Sequence, residues 1–512
     1  MISISESTDS ETRAALWLGF AAMCVGMFMA VLDVQVVASS LTAIQTALHI
    51  PLGRLGWIQT AYLMAEVVAI PLTGILTRAL SLRVLFAGAT LGFVAASWVC
   101  ALSPGFDVLI AARVVQGFFG GMLIPSVFTA VFVLIPERHH ILATTMAGVA
   151  ALLAPTLGPL LGGWLTETQS WHWIFLINIL PGMIVALIVL ISLKNEAADI
   201  TVLKRLDGLT LLLFTVFLAS LQWLLNEGPH YHWQGAYIWG LSFLCLVTLV
   251  WGIHRALSVA HPFVHLTRFR KRGFALGCAL SFILGVGLYG SVYLLSLFLG
   301  LVRGHTPLVI GEILMVSGAA QLLTSPIAAW AETRTNAKLL TILGFALFGL
   351  GLIANGFTTQ TSDFDQLFWP QVMRGLAMMF CLLPSTRCAL EHWQPHEVAE
   401  ASGLFNLMRN LGGAIGIALI DTILTERTEG HVLRLVTRLQ AGDPAAARLV
   451  GLPVRLFHNH TMGPVDPVTR AMIEPMVRRA ALTQSCNEAW LVLGALFLSA
   501  LLLVPAMVKP KN

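Results

Sequence analysis

Charge is scarce in this sequence: 11% of its 512 side chains are Asp, Glu, Lys or Arg, against roughly 25% in a soluble domain. With 57% of its residues apolar, the chain cannot dress a water-facing surface. Cysteine supplies no framework either. The seven cysteines, at 24, 100, 245, 278, 381, 388 and 486, show no paired spacing, which excludes a disulfide scaffold or a zinc ribbon. Histidine is plentiful at 15 residues, but no HExxH occurs. Its one ligand-like spacing, His392/His396, is interrupted by Pro395, so no metal site is expected. A GxxxxGK[ST] loop is missing as well, so bound ATP is not the expected energy source, and no cofactor is implied. The first 14 residues, MISISESTDSETRA, lack the basic start of a cleaved leader, and the first helix is expected to remain as an anchor.

What is present is hydrocarbon length. About 20 mainly apolar residues cross a bilayer core. Fourteen such segments can be placed, at 15–37, 55–77, 82–102, 107–134, 139–163, 172–193, 208–226, 234–256, 273–299, 309–330, 337–356, 365–387, 399–424 and 487–508. The chain reads as an all-α polytopic membrane protein. RVVQGFFGGMLIPS at 113–126 is echoed by QVMRGLAMMFCLLPS at 371–385, so two similar six-helix halves are expected, at 15–193 and 273–508. Two further helices and their loops, 194–272, join them. The tails are 1–14 and 509–512, and a long loop at 425–486 is expected to carry short surface helices. Basic residues cluster in alternate short loops, including RFRKR at 268–272, whereas the opposite short loops hold only Arg54 and Arg303; the eight arginines of 425–486 belong to a loop too long for the charge rule to govern. That asymmetry puts both termini in the cytoplasm, and it accounts for the net charge of +4 without nucleic-acid binding. RFRKR would touch anionic lipid at most.

Ionisable residues inside spans cost at least about 2.5–3.5 kcal/mol each, so each needs a reason. Asp33 interrupts VGMFMAVLDVQVVASS, some 18 residues and hence about 27 Å into its helix. Arg113 lies roughly 9 Å down a helix that enters from the other side, so the two can share a depth. Two readings stand: a permanent buried pair, or a proton-coupling site that moves between paired and protonated states. Glu66 sits near mid-membrane with no basic neighbour evident. It suits a proton carrier, a carboxylate that attracts a cationic substrate, or a packing residue. Arg374 and Asp421 have similar depths and could pair. Gln59, Tyr62, Glu66, Gln116, Arg374, Asn406 and Arg409 are the candidates to line a substrate cavity. GVAALLAPTLGPLLGGWL at 148–165 holds Gly148, Pro155, Gly158, Pro159, Gly162 and Gly163, small and kinking residues for a helix that packs closely and pivots.

Together these stretches resemble the fourteen-helix drug:proton antiporter branch of the major facilitator superfamily, the EmrB/QacA type. LDVQVVASSL at 32–41 resembles the first-helix motif LDxTIVNVALP, with Leu32 and Asp33 kept. RVVQG matches the fourth-helix motif, the Gly/Pro run resembles the antiporter motif, and WHWIFLINILPG resembles WRWIFLINVP. The loop GILTRALSLR departs from the usual GxLaDrxGrR, keeping Gly74, Leu76 and Arg83. The resemblance implies efflux of a small amphipathic molecule in exchange for protons, from a bacterial inner membrane, with Asp33 as leading proton site, Arg113 tuning it and Glu66 secondary. It also implies a periplasmic adaptor and an outer-membrane channel where the cell has an outer membrane. Export of one metabolite, such as a siderophore, amino acid or organic acid, and a non-transporting sensor or scaffold are the competing expectations.

Overall fold

The computed structural model of the chain describes residues 2–193, 199, 207–228, 231–259, 266–390, 393, 395–456 and 467–506. The connection NEAADITVLKRLDG, His392, the HNH at 458–460 and the tail at 509–512 lie outside, or almost wholly outside, these residues.

Among the described residues, fourteen helices are long and apolar enough to cross a membrane. They are α1 (Ile2–Leu48), α2 (Trp57–Leu80), α3 (Leu82–Ala101), α4 (Phe106–Leu134), α5 (His140–Thr168), α6 (Ile179–Ser192, preceded by the turn Trp173–Leu176), α7 (Gly208–Glu227) and α8 (Ala236–Ser258). The series continues with α9 (Arg272–Leu297), α10 (Pro307–Arg334), α11 (Ala337–Asn355), α12 (Phe364–Leu390), α13 (Pro395–Gln440) and α14 (Pro467–Ser499). No strand occurs among the described residues, as expected where every backbone polar group must be satisfied within its own segment.

The helices pack as a repeat. In the first half α1 lies on α5, α2 on α4, α3 on α4, and α3 on α6; in the second, α9 lies on α13, α10 on α12, α11 on α12, and α11 on α14. The halves meet along α5 with α10 and along α2 with α13, which is again one contact and its repeat. The pair α7 and α8 packs mainly on itself and leans on α2 and α13. This is the expected architecture of two six-helix halves plus two inserted helices.

One region differs from expectation. The segment 425–486 is not a loop with separate surface helices, because α13 and α14 run on through it. At 46 residues α13 is about 69 Å long, more than twice the hydrocarbon thickness, so its end must project. Leu435 and Leu439, one turn apart, bury against Val477, Ala480 and Ala481 of α14, with the short helix Pro444–Val450 closing the tip. This second apolar stripe makes continued helix more favourable than loop. Glu488 ties the base of the projection by pairing with Arg427 at 2.7 Å and His431 at 3.0 Å.

Candidate functional site

Asp33 and Arg113 face each other from α1 and α4 in an ion pair whose side chains have 0% exposure. Arg113 donates from Nη1 to Asp33 Oδ2 and to Gln116 Oε1 (2.7 Å), and from Nε to the Ile58 carbonyl (3.0 Å). Asp33 Oδ1 accepts from Gln116 Nε2 at 2.9 Å and from Asn178 Nδ2 at 3.0 Å. Gln116 also reaches Ser97 Oγ at 2.8 Å. The Arg113 guanidinium stacks 4.5 Å above the Tyr62 ring, and Tyr62 donates to the Ala30 carbonyl at 3.2 Å. Gly117 makes this possible. A Cβ there would meet the Tyr62 backbone well inside 3.0 Å. Tyr62 and Gln116, expected to line a cavity, therefore wall and wire the carboxylate. Asn178 and Ser97 complete it, and neither was singled out from the sequence, although Asn178 is the lone amide of the apolar run WIFLINILPG.

Glu66 lies on α2 where the halves meet, only 5% exposed. The sequence shows no cation beside it; the fold brings one from the other half. Arg409 and the neighbouring Asn410 of α13 both act on its carboxylate. Tyr289 of α9 donates to Asn410 Oδ1 at 3.3 Å, and Arg409 holds Asn406 Oδ1 at 2.8 Å. Glu66, Asn406 and Arg409 thus form one polar cluster at the interface, to which Asn410 and Tyr289 are added. Gly121 of α4 lets the Glu66 backbone sit close. Gln59 is buried on α2, two turns before Glu66.

Arg374 and Asp421 do not pair. Asp421 accepts from the Tyr293 hydroxyl at 2.6 Å and rests against Gly56 at the start of α2, while Arg374 donates to Ser291 Oγ at 2.6 Å. Similar depth was insufficient because the two side chains leave their helices toward different neighbours.

The Gly/Pro helix α5 is gripped on two sides. Gly158 and Gly162 face α1, meeting Gln35 and the Val36 carbonyl, and Ser40 donates to the Gly162 carbonyl at 3.2 Å. Pro155, Pro159 and Gly163 face α10, where Gly318, Gly311 and Pro307 lie opposite. A Cβ on Gly158 would meet the Cβ of Gln35, and at Gly162, Gly163, Gly311 and Gly318 it would meet backbone. Gly148, toward the other end of α5, has nothing within 4 Å. The end of the bundle bearing Gly163 is also closed by Thr42 on Gly300 and by the Leu308 amide donating to Glu167 at 3.2 Å.

A family model described as Major Facilitator Superfamily matches residues 23–417. The chain belongs to this superfamily. Within it the chain is of the fourteen-helix EmrB/QacA type. It is 38% identical over 420 residues to the colistin resistance protein EmrB of Acinetobacter baumannii, covering 82% of each chain. It is 28% identical to the multidrug export protein EmrB of Escherichia coli K12, over 94% of this chain and 93% of that one. A crystal structure of a D-xylose–proton symporter superposes with a TM-score of 0.62 at 11% identity, covering 96% and 98% of the two chains, a likeness of fold. Superfamily membership makes the chain a multi-pass membrane transporter and not an enzyme.

Proposed function

We propose that this transporter exports drugs or other toxic amphipathic molecules in exchange for protons. One observation carries the reading: the buried carboxylate is mechanically joined to the interface between the halves. Asp33 is two residues from Gln35 and three from Val36, the surface on which Gly158 and Gly162 of α5 ride. The opposite face of α5 is the contact with α10 of the other half. A proton taken by Asp33 ends its ion pair with Arg113 and frees the Gln116 and Asn178 amides. The resulting shift of α1 would be passed through α5 to α10. Such a chain of packed elements is a coupling route when both ends bias the same two-state motion.

Glu66, with Arg409, Asn406 and Asn410, is placed as the second charged site, where a proton or the cationic part of a substrate would bind. Its position between the halves exposes it to alternating access. Resistance as the biological output is supported by the relatives' names, which include colistin resistance and multidrug export. With both termini cytoplasmic in the inner membrane of a bacterium, by the charge asymmetry of the loops, the closed end at Gly163 faces outward. The projecting ends of α13 and α14 would then stand in the periplasm, where an adaptor leading to an outer-membrane channel would dock.

Expression in cells stripped of their own pumps tests the reading. Resistance to several unrelated amphipathic compounds, lost in the presence of a protonophore, is expected. A change confined to one excreted metabolite would overturn it in favour of a dedicated exporter.

A further inference from the structure

The repeat in the fold has an asymmetry of charge. RVVQG at 113–117 and QVMRG at 371–375 align on Gly117 and Gly375, each of which lies directly on the backbone of its neighbour, Tyr62 of α2 and Ser317 of α10. In this register Gln371 stands where Arg113 does and Arg374 where Gln116 does. In the first half, α1 supplies Asp33 as counter-charge. In the second half the equivalent helix, α9, supplies Ser291 to the guanidinium, a neutral hydroxyl.

The consequence is visible in the polar bookkeeping. Eleven buried side-chain nitrogens and oxygens lack a partner among the described residues, and six of them belong to Arg374, Gln371 and Asn355. Arg374 is 3% exposed, Gln371 and Asn355 0%. They occupy one place. Gln371 is one turn from Arg374 on α12, and Gly351 of α11 lies against the Arg374 side chain and the Pro370 carbonyl. Asn355 follows Gly351 by one turn on the same face. Arg374 Nε and Nη1 and the amide groups of Gln371 and Asn355 are thus buried without partners along the same stretch of the contact between α11 and α12. The rings of Phe348 and Trp490, 5.8 and 5.6 Å from the guanidinium carbon, complete the wall.

A guanidinium does not give up its proton in a protein, and its charge cannot be left unmatched in a low-dielectric interior. Ring faces at those distances offset only part of it. No carboxylate acts on Arg374 among the described residues. Water would satisfy the hydrogen bonds but not the charge. We propose that the second half contains a buried site for a small monovalent anion of halide size, held by Arg374 with the Gln371 and Asn355 amides, which replaces the carboxylate the first half carries in Asp33. The near-complete burial of all three side chains excludes a bulky anion, and the single positive charge sets the valence. The site is distinct from the Asp33 and Glu66 clusters and stands whether or not the exported compounds are drugs.

The test compares thermal unfolding of the purified full-length protein in detergent, in sodium chloride or bromide against sodium gluconate at matched ionic strength. The wild type is expected to show a saturable rise of its unfolding midpoint in either halide. Ser291→Asp puts a carboxylate beside Arg374, as Asp33 stands beside Arg113, and should abolish that rise while keeping the gluconate midpoint at or above the wild-type value. Arg374→Gln, where it folds, should also lose the halide response. A wild type indifferent to the anion would leave Arg374 matched by water and rings alone and overturn the proposal. A Ser291→Asp protein with the wild-type halide response would overturn it too, by placing any bound halide elsewhere.

Discussion

Replacing Gly163 by Ala adds one methyl group at the contact between the halves. That Cβ would meet the Pro307 carbonyl and the Leu308 Cα well inside 3.0 Å, a distance real Cβ atoms essentially never show. The obstructing atoms are backbone, so no side chain can rotate away. Overpacking of this kind costs about 1–3 kcal/mol. The cost falls only on the state in which α5 and α10 touch here, so the equilibrium should move about 5- to 150-fold toward the state in which they part. Spin labels at Gln169 and Thr306, both exposed and on opposite sides of the contact, report it by double electron–electron resonance. The wild type should give a dominant short distance, and Gly163→Ala a distribution weighted to longer ones. Gly148→Ala is the internal control, because nothing lies within 4 Å of its new Cβ. An unchanged distribution in Gly163→Ala, or an equal shift in Gly148→Ala, would refute the assignment of α5 as the moving contact.

Other consequences are more local. Asn178→Ala removes a hydrogen bond to a buried charge, worth about 1.5–3 kcal/mol, and should lower the unfolding midpoint and slow proton-driven transport together. Normal turnover in a stable Asn178→Ala protein would show that the amide only packs. In the loop before α12, burial pushes the Asp363 carboxyl up, but the hydrogen bonds from Arg303, the Phe364 amide and His305 outweigh it and hold it below the usual carboxylate range. A carboxyl depressed in the folded state stabilises above its unfolded value near 3.9 and loses that contribution as pH falls through the folded one. Asp363→Asn should therefore cost up to about 1 kcal/mol at pH 7 and progressively less below about pH 4, read by unfolding midpoints across that range. A penalty that stayed constant with pH would mean that the charge is not the source.

The fourteen spans and the repeat were legible because both depend on local composition. Hydrocarbon length and the RVVQG echo can be read without knowing which helices touch. Depth reckoned along two helices brought Asp33 and Arg113 to one level, and the fold does place them together. The same reckoning misjudged Arg374 and Asp421, because depth says nothing of the direction in which a side chain leaves its helix. Asn178 and Asn410 went unnoticed since a neutral amide in a span costs far less than a charge and raises no alarm, yet Asn178 binds the buried Asp33 carboxylate and Asn410 lies beside that of Glu66. Arg409 near Glu66 could not be foreseen either, as the contact exists only once α2 and α13 meet across the two halves. The projection of α13 and α14 was hidden by its arginines. They coat the outside of a helical pair whose short apolar stripe, Leu435 and Leu439 against Val477 and Ala481, is visible only when the helices are laid side by side.

The claim that Asp33 is the group through which protons drive export is tested most directly in proteoliposomes. Wild type and Asp33→Asn, each verified as monodisperse because breaking a buried pair can cost about 3–5 kcal/mol, are given a fluorescent amphipathic cation and an imposed pH gradient. The wild type should accumulate the dye against its gradient, and Asp33→Asn should do no better than empty liposomes. Gradient-driven accumulation by Asp33→Asn at the wild-type rate would contradict the account.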